Sequence, residues 1–140
     1  MHQVFKPENI ENFRREVPNG KVISHPEASF EVCQMSDYVG STEFIINTIN
    51  ASEPGSQWLV GTELNLVNRL HQNLASEGKT VQFMSQMVSM CSTMFRIDPQ
   101  HLAWVLDNLV AGHVVNQVSV DEDIANNARV AIQRMLDIKV

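Results

Sequence analysis

The sequence is poor in cysteine, in clustered basic charge and in long apolar runs. Two cysteines in 140 residues, Cys33 and Cys91, are too few for a disulfide framework. In a reducing compartment they are free thiols or ligands. No apolar stretch approaches the ~20 residues that a membrane-spanning helix needs, so no membrane partner is expected. The opening segment, MHQVFKPENI, lacks the apolar core of a secretion signal, and the expected location is cytoplasmic. Ten Lys and Arg against sixteen Asp and Glu give a net charge of −6. The basic residues are scattered and form no stripe, which argues against nucleic acid as a partner. Neither standard glycine-rich phosphate loop occurs, and no low-complexity tract interrupts the chain.

What remains has the composition of a globular domain, 44% hydrophobic and 19% charged, long enough to bury a core. Pro7 suits a first helical turn, and Pro18-Asn19-Gly20 stops the helix that follows. Lys21 to Ser24 reads as a short strand. Ser29 can cap a helix carrying Phe30, Cys33 and Gln34. Tyr38-Val39 is a strand end broken by Gly40, and Ser41-Thr42 caps the next helix, with Phe44, Ile45 and Ile49. Trp58 to Val60 is an apolar strand ended by Gly61. Thr62 opens a helix with Leu66, Val67, Leu70 and Leu74 on one face, and Gly78 ends it. Val81 to Met84 is the next strand, and Ser85 to Ile97 is a loop of open shape.

Asp98-Pro99 starts a helix whose stripe is Leu102, Val105, Leu106 and Leu109, ended by Gly112. Val114 to Val118 reads as a strand. Ser119 to Glu122 reads as a capping box before a last helix with Ile124, Ala128, Ile132, Met135 and Leu136. Strands alternating with helices predict an α/β fold, three layers deep, with short parallel strands. Trp58 and Trp104 are expected in the core. His71, His101 and His113 read as surface or cap residues.

Ligands of open parallel sheets bind beyond the carboxyl ends of the strands. One such end is Ser24-His25-Pro26-Glu27, where an imidazole and a carboxylate flank a stiff proline. Both are competent proton-transfer groups; a pair that merely caps the next helix is the other reading. A second end is Val39-Gly40-Ser41-Thr42. There glycine permits close approach, and hydroxyls with free helix N–H groups suit a carboxylate or phosphate. An ordinary N-cap is the competing reading, and for Gly61-Thr62-Glu63 the one retained. Cys91 sits among methionines, either a small buried hydrophobe or one thiolate of a set, since a cluster needs several. Cys33 reads as buried and inert. His2, taken alone, reads as part of a frayed terminus.

Taken together, four segments resemble quinolinate synthase in order and spacing: Val22-Ile23-Ser24-His25-Pro26-Glu27, Asp37-Tyr38-Val39-Gly40-Ser41-Thr42, Leu59-Val60-Gly61-Thr62-Glu63 and Cys91-Ser92-Thr93-Met94. The tail from Val115-Asn116-Gln117-Val118 through Ala128-Arg129 to Arg134-Met135-Leu136 does so too. The resemblance implies three similar α/β/α domains about a pseudo-threefold axis, condensing iminoaspartate with dihydroxyacetone phosphate to quinolinate in NAD biosynthesis. It implies one cysteine per domain on a single 4Fe–4S cluster, whose open iron position acts as a Lewis acid. Carried over, residues 2–91 are the third domain, and 92–140 is a C-terminal helix–strand–helix that packs on the first domain. His25 and Glu27 match the active-site histidine and the catalytic acid/base. Ser41 and Thr42 match the groups that hold a substrate carboxylate or phosphate. His2 matches the histidine after the second cluster cysteine, a substrate-binding residue, and Cys91 matches the third cluster cysteine.

The same comparison leaves two of the three cluster ligands outside this sequence, and Cys33 matches neither. The expectation is a portion that is inactive and cluster-free on its own, acting with the remaining N-terminal part or with a full-length synthase. The alternatives are a non-catalytic remnant that binds a small dicarboxylate or phosphate, and an unrelated flavodoxin-like binding module, against which the Glu27 and Cys91 contexts argue.

Overall fold

A computed structural model describes residues 2–87, 91 and 93–138. The described chain divides into two compact units, Met1–Phe95 and Arg96–Val140. After a short 3-10 turn, His2–Val4, the first unit runs α1 (Pro7–Glu16), β1 (Lys21–Ser24), α2 (Phe30–Met35), β2 (Tyr38–Val39), α3 (Thr42–Asn50), β3 (Gln57–Gly61), α4 (Leu64–Leu74) and β4 (Thr80–Phe83). The four strands are all parallel, in the order β2-β1-β3-β4.

Alternation along the two central strands produces the layers. Val22 and Leu59 turn toward α1 and α2, where they pack with Phe5, Ile10, Phe13 and Val32. Ile23, Trp58 and Val60 turn the other way, against Ile45, Ile49, Leu66, Val67 and Leu70 of α3 and α4. A parallel sheet buried on both faces needs apolar residues at successive positions, and Val22-Ile23 and Trp58-Leu59-Val60 supply them, all at most 4% exposed. This is the α/β, three-layer arrangement that the sequence predicts.

Several boundaries differ from expectation. α4 begins at Leu64 and is capped by the Glu63 carboxylate, which accepts from Leu66 N at 3.0 Å; Thr62 instead stays buried at the strand end. Past Leu74 the helix tightens into a 3-10 turn, Ala75–Glu77, before Gly78 closes it with φ +69°. Lys79 then tucks inward, its side chain 1% exposed. Its ammonium donates to the carbonyls of Ile49 (3.3 Å) and Asn50 (2.8 Å) at the end of α3 and pairs with Glu77 at 2.9 Å. A cation at a helix C-terminus satisfies carbonyls that lack helical partners.

In the second unit, α5 (Pro99–Val110) and α6 (Glu122–Leu136) form as expected. Asp98 caps α5 by accepting from His101 N at 2.7 Å. Asp121, not Ser119, caps α6, accepting from Asp123 N at 3.0 Å. Residues 114–118, expected as a strand, join no sheet among the described residues. A strand exists only against a partner's backbone, and Val114 and Val118 lie open to solvent. Trp104, expected in a core, is 47% exposed, as are most of the stripe residues Leu102, Leu106 and Leu109. The loop expected over 85–97 contains a 3-10 turn at Met94–Arg96; Val88, Ser89, Met90 and Ser92 lie outside the described residues.

Lys79→Met keeps the apolar stem and removes the donors to Ile49 and Asn50. It is expected to lower stability by about 2 kcal/mol, the scale of losing charge-assisted hydrogen bonds from a buried group. Urea denaturation of the chain should show a lower midpoint at unchanged slope.

Candidate functional site

The strand order reverses between β1 and β3: the chain moves outward from β1 to β2, then crosses back to β3. Crevices at such a reversal, beyond the carboxyl ends of the strands, are where open α/β sheets bind ligands. Here the two ends are Ser24 and Gly61, paired in register. His25 N extends the ladder by donating to Gly61 O at 2.9 Å.

The chain then turns at once. Ala28 N donates to His25 O at 3.0 Å, closing a four-residue turn with Pro26 at its second position, where the ring's fixed φ is favourable. Glu27 N donates to His25 Nδ1 at 3.2 Å. The turn thus holds the backbone and the imidazole of His25 together and leaves the Glu27 side chain 72% exposed. Cys33, half-buried on α2, directs its sulfur at the carbonyls of His25 (3.9 Å) and Ala28 (3.8 Å).

His2 comes to this turn from the start of the chain. It is only 8% exposed, so it is an ordered part of the structure and not a frayed end. Its ring stacks on His25, with centroids 4.6 Å apart and planes at 13°. Its Nδ1 lies 2.9 Å from Glu27 Oε2. A carboxylate accepts, so Nδ1 carries the proton and Nε2 keeps a lone pair; that Nε2 is buried with no hydrogen-bond partner. In His25 the partners are reversed. Its Nδ1 accepts from the Glu27 backbone, which leaves the proton of the neutral ring on Nε2. Two stacked imidazoles of opposite tautomer therefore flank one carboxylate.

His2, His25 and Glu27 line a cavity of about 400 Å³ together with Thr42, Thr62, Glu63, Leu66, Arg69, Cys91 and Met94. Five of the six residues singled out in the sequence thus meet in one place. Ser41 is the exception: its hydroxyl caps α3, accepting from Phe44 N at 3.3 Å, and Thr42 one residue on reaches the cavity. Gly40 before them is required by space, because a Cβ there would overlap the Phe44 ring. Thr62, Glu63 and Arg69 also line it, although Gly61-Thr62-Glu63 reads from the sequence as an ordinary helix cap and nothing in the sequence marks Arg69. The signal at Thr62 is that Gly61-Thr62 repeats the glycine-then-hydroxyl pattern of Gly40-Ser41 after β2, on the other side of β1. Cys91 hydrogen-bonds Thr93 Oγ1 at 3.0 Å. That contact, with the backbone N–H groups of Met94 and Thr93, holds its thiol pKa below the ordinary range and favours the thiolate that ligates metals.

The His2 pKa is also lowered, first by burial and then by the neighbouring His25, with Glu27 pulling the other way. Below about pH 6.5 an unfolded histidine binds a proton that folded His2 resists. The titration of His2 therefore leaves stability independent of pH above that value and lowers it as pH drops through it toward the folded pKa. Side-chain NMR should show His2 losing its proton at lower pH than an unperturbed histidine. His2→Gln should flatten the decline in stability between about pH 7 and about pH 5.

The family model described as "Quinolinate synthetase A protein" matches residues 1–137. Among curated proteins, the quinolinate synthase of Herpetosiphon aurantiacus is 50% identical over 138 residues, covering 99% of this chain and 36% of the relative. Those of Acidobacterium capsulatum (44%) and Rhodopirellula baltica (45%) each cover 99% of this chain, and 37% and 35% of their own lengths. The chain thus spans about a third of the length of the curated relatives it matches. With a match over nearly all of its residues, this chain belongs to the quinolinate synthase family.

Proposed function

We propose that this chain is the part of a quinolinate synthase that comprises the third α/β/α domain, residues 2–91, and a C-terminal helix–strand–helix, 92–140, that packs on the first domain. Its activity, exerted with the rest of the enzyme, is the condensation of iminoaspartate with dihydroxyacetone phosphate to quinolinate, a transferase step of de novo NAD biosynthesis in the cytoplasm. The observation that carries this reading is the convergence of His2, His25, Glu27, Thr42 and Cys91 on one cavity in a chain of this family. The exposed apolar faces of α5 and α6 support a partner surface supplied by the remaining length or by a full-length synthase. Among the described residues no helix is long and apolar enough to cross a membrane.

Glu27 is the proton carrier in this scheme. Its carboxylate is open to the cavity yet tethered to His2 Nδ1–H, so it can take a proton from a bound substrate and return it at another position. His25 offers its Nε2–H to a substrate oxygen and, through its Nδ1, holds the Glu27 backbone. Thr42, at the first position of α3, presents a hydroxyl and free backbone N–H groups to a carboxylate or phosphate. Ser41 secures that helix end as its cap, and His2, which lines the same cavity, is the further substrate-binding residue.

The cluster implied by the family is a separate matter. Cys91, on the cavity and inclined to the thiolate, fits as one ligand. One thiolate does not hold a 4Fe–4S cubane, and Cys33 faces the carbonyls of the turn. Anaerobic reconstitution of this chain alone is expected to give substoichiometric iron and sulfide, and a full complement on monomeric protein would refute the ligand count. In an enzyme completed with the remaining part of a relative, Glu27→Gln should cut turnover by about 10²-fold or more with the cluster spectrum unchanged. Normal turnover in Glu27→Gln, with loss in His25→Ala, would move the proton-transfer role to His25.

A further inference from the structure

The substrates proposed above carry several anionic groups between them, carboxylates on one and a phosphate on the other. The hydroxyl and backbone N–H groups at the start of α3 offer a place for one of these. The cavity is otherwise unfavourable to an anion. Glu27 and Glu63 bring carboxylates to it, and burial holds His2 towards its neutral form. Among the described lining residues, Arg69 of α4 supplies the one permanent positive charge.

The fold delivers that charge to the carboxyl end of the sheet. The chain leaves β3 through Thr62 and the Glu63 cap, so α4 starts at the cavity. Arg69 lies five residues past Leu64, about 7.5 Å along the helix axis. Helical side chains tilt towards the N-terminus, and the long arginine stem covers that distance. Leu66, three residues earlier on the same helix face, lines the cavity as well and is itself buried. α3 and α4 pack on the same side of the sheet, so Thr42 and Arg69 come to the cavity from one layer.

The guanidinium is uncommitted there. Among the described residues Arg69 forms no ion pair. The two carboxylates of the cavity are engaged elsewhere. Glu63 accepts from Asn65 Nδ2 at 2.9 Å through one oxygen and from Leu66 N at 3.0 Å through the other. Glu27 Oε2 lies 2.9 Å from His2 Nδ1. A guanidinium presents five N–H donors in a planar fork that matches a carboxylate or a phosphate. That fork is open to an oxyanion entering the cavity.

We infer that Arg69 is a substrate-binding residue that recognises an oxyanion, gripping a carboxylate or phosphate through its fork while the start of α3 holds a second anionic group. The biological meaning of this role rests on the reading of the cavity as the synthase substrate site; anion binding itself does not.

The test titrates the full chain with succinate and, separately, with glycerol 3-phosphate at constant ionic strength. Heteronuclear NMR follows the Arg69 Nε–H resonance, assigned by its loss in Arg69→Gln. A saturable shift with at least one of the two anions is expected, and the tighter one tells whether the fork takes a carboxylate or a phosphate. Arg69→Gln, at an exposed helical position, should keep the parental circular dichroism. It should weaken binding of that anion, read from the backbone amides of Thr42 and Thr62, by about 10- to 100-fold, the scale of paired charge-assisted hydrogen bonds. Arg69→Lys should fall between, since it keeps the charge and loses the fork. Arg15→Gln removes an equal charge from α1, outside the cavity lining, and should bind as the parent does. No saturable shift with either anion, parental affinity in Arg69→Gln, or an equal loss in Arg15→Gln would each overturn the assignment. None of these readouts involves turnover. Arg69-dependent binding in a chain that yields no quinolinate when completed would refute the proposed activity alone, and an active completed enzyme without such binding would refute the role of Arg69 alone.

Discussion

The pairing of β1 with β3 is the constraint from which the cavity is built. Four consecutive residues are matched, from Lys21 opposite Trp58 to Ser24 opposite Gly61, and the ladder runs one bond further, from His25 N to Gly61 O. Because side chains alternate with a period of two, a slip of one residue between the strands would turn Trp58, Leu59 and Val60 each to the wrong layer relative to Val22 and Ile23. The register is therefore strongly held, and with it the depth at which the His25 turn and the Thr62 strand end meet. Arg14 reinforces the other flank, donating to the Met35 carbonyl and to Asp37, while the second oxygen of Asp37 accepts from Val22 N.

The elements that the sequence discloses best are those whose signal is local. Short apolar runs ended by Ser24 and Gly61, a proline after Asp98 and hydroxyls before α2 and α3 each act within a few residues of themselves, and each is found where expected. The start of α4 is less legible, because Thr62 and Glu63 are both able to cap. Tertiary burial of Thr62 decides between them, and no local rule carries that information. His2 lies at the opposite extreme. Neither periodicity nor composition distinguishes it; only its resemblance to a family position did, and its contacts come from residues more than twenty positions away.

The second unit marks a different limit. The stripe on α5 and the apolar positions of α6 are real amphipathic patterns, and both helices form. Yet no described side chain of 96–138 is buried. A hydrophobic stripe states which face of a helix seeks cover; it does not state that the cover belongs to the same chain. The same holds for 114–118, whose alternation suits a strand but whose hydrogen-bonding partner is not among the described strands.

The turn that carries His25 and Glu27 is closed by backbone bonds and rooted in the central ladder, with Pro26 stiffening it from within. Among side chains, the partly buried His25 ring adds its stack on His2 and its bond from Glu27 N, while the Glu27 side chain is mostly solvated. Such a loop has no cheap way to loosen by itself, because the bond that would open first is continuous with the β1–β3 pairing. On heating, the arrangement of these groups should survive until the sheet gives way, and the two should be lost in a single cooperative step. Local fraying, usual for binding loops, is here replaced by a threshold set by the whole domain.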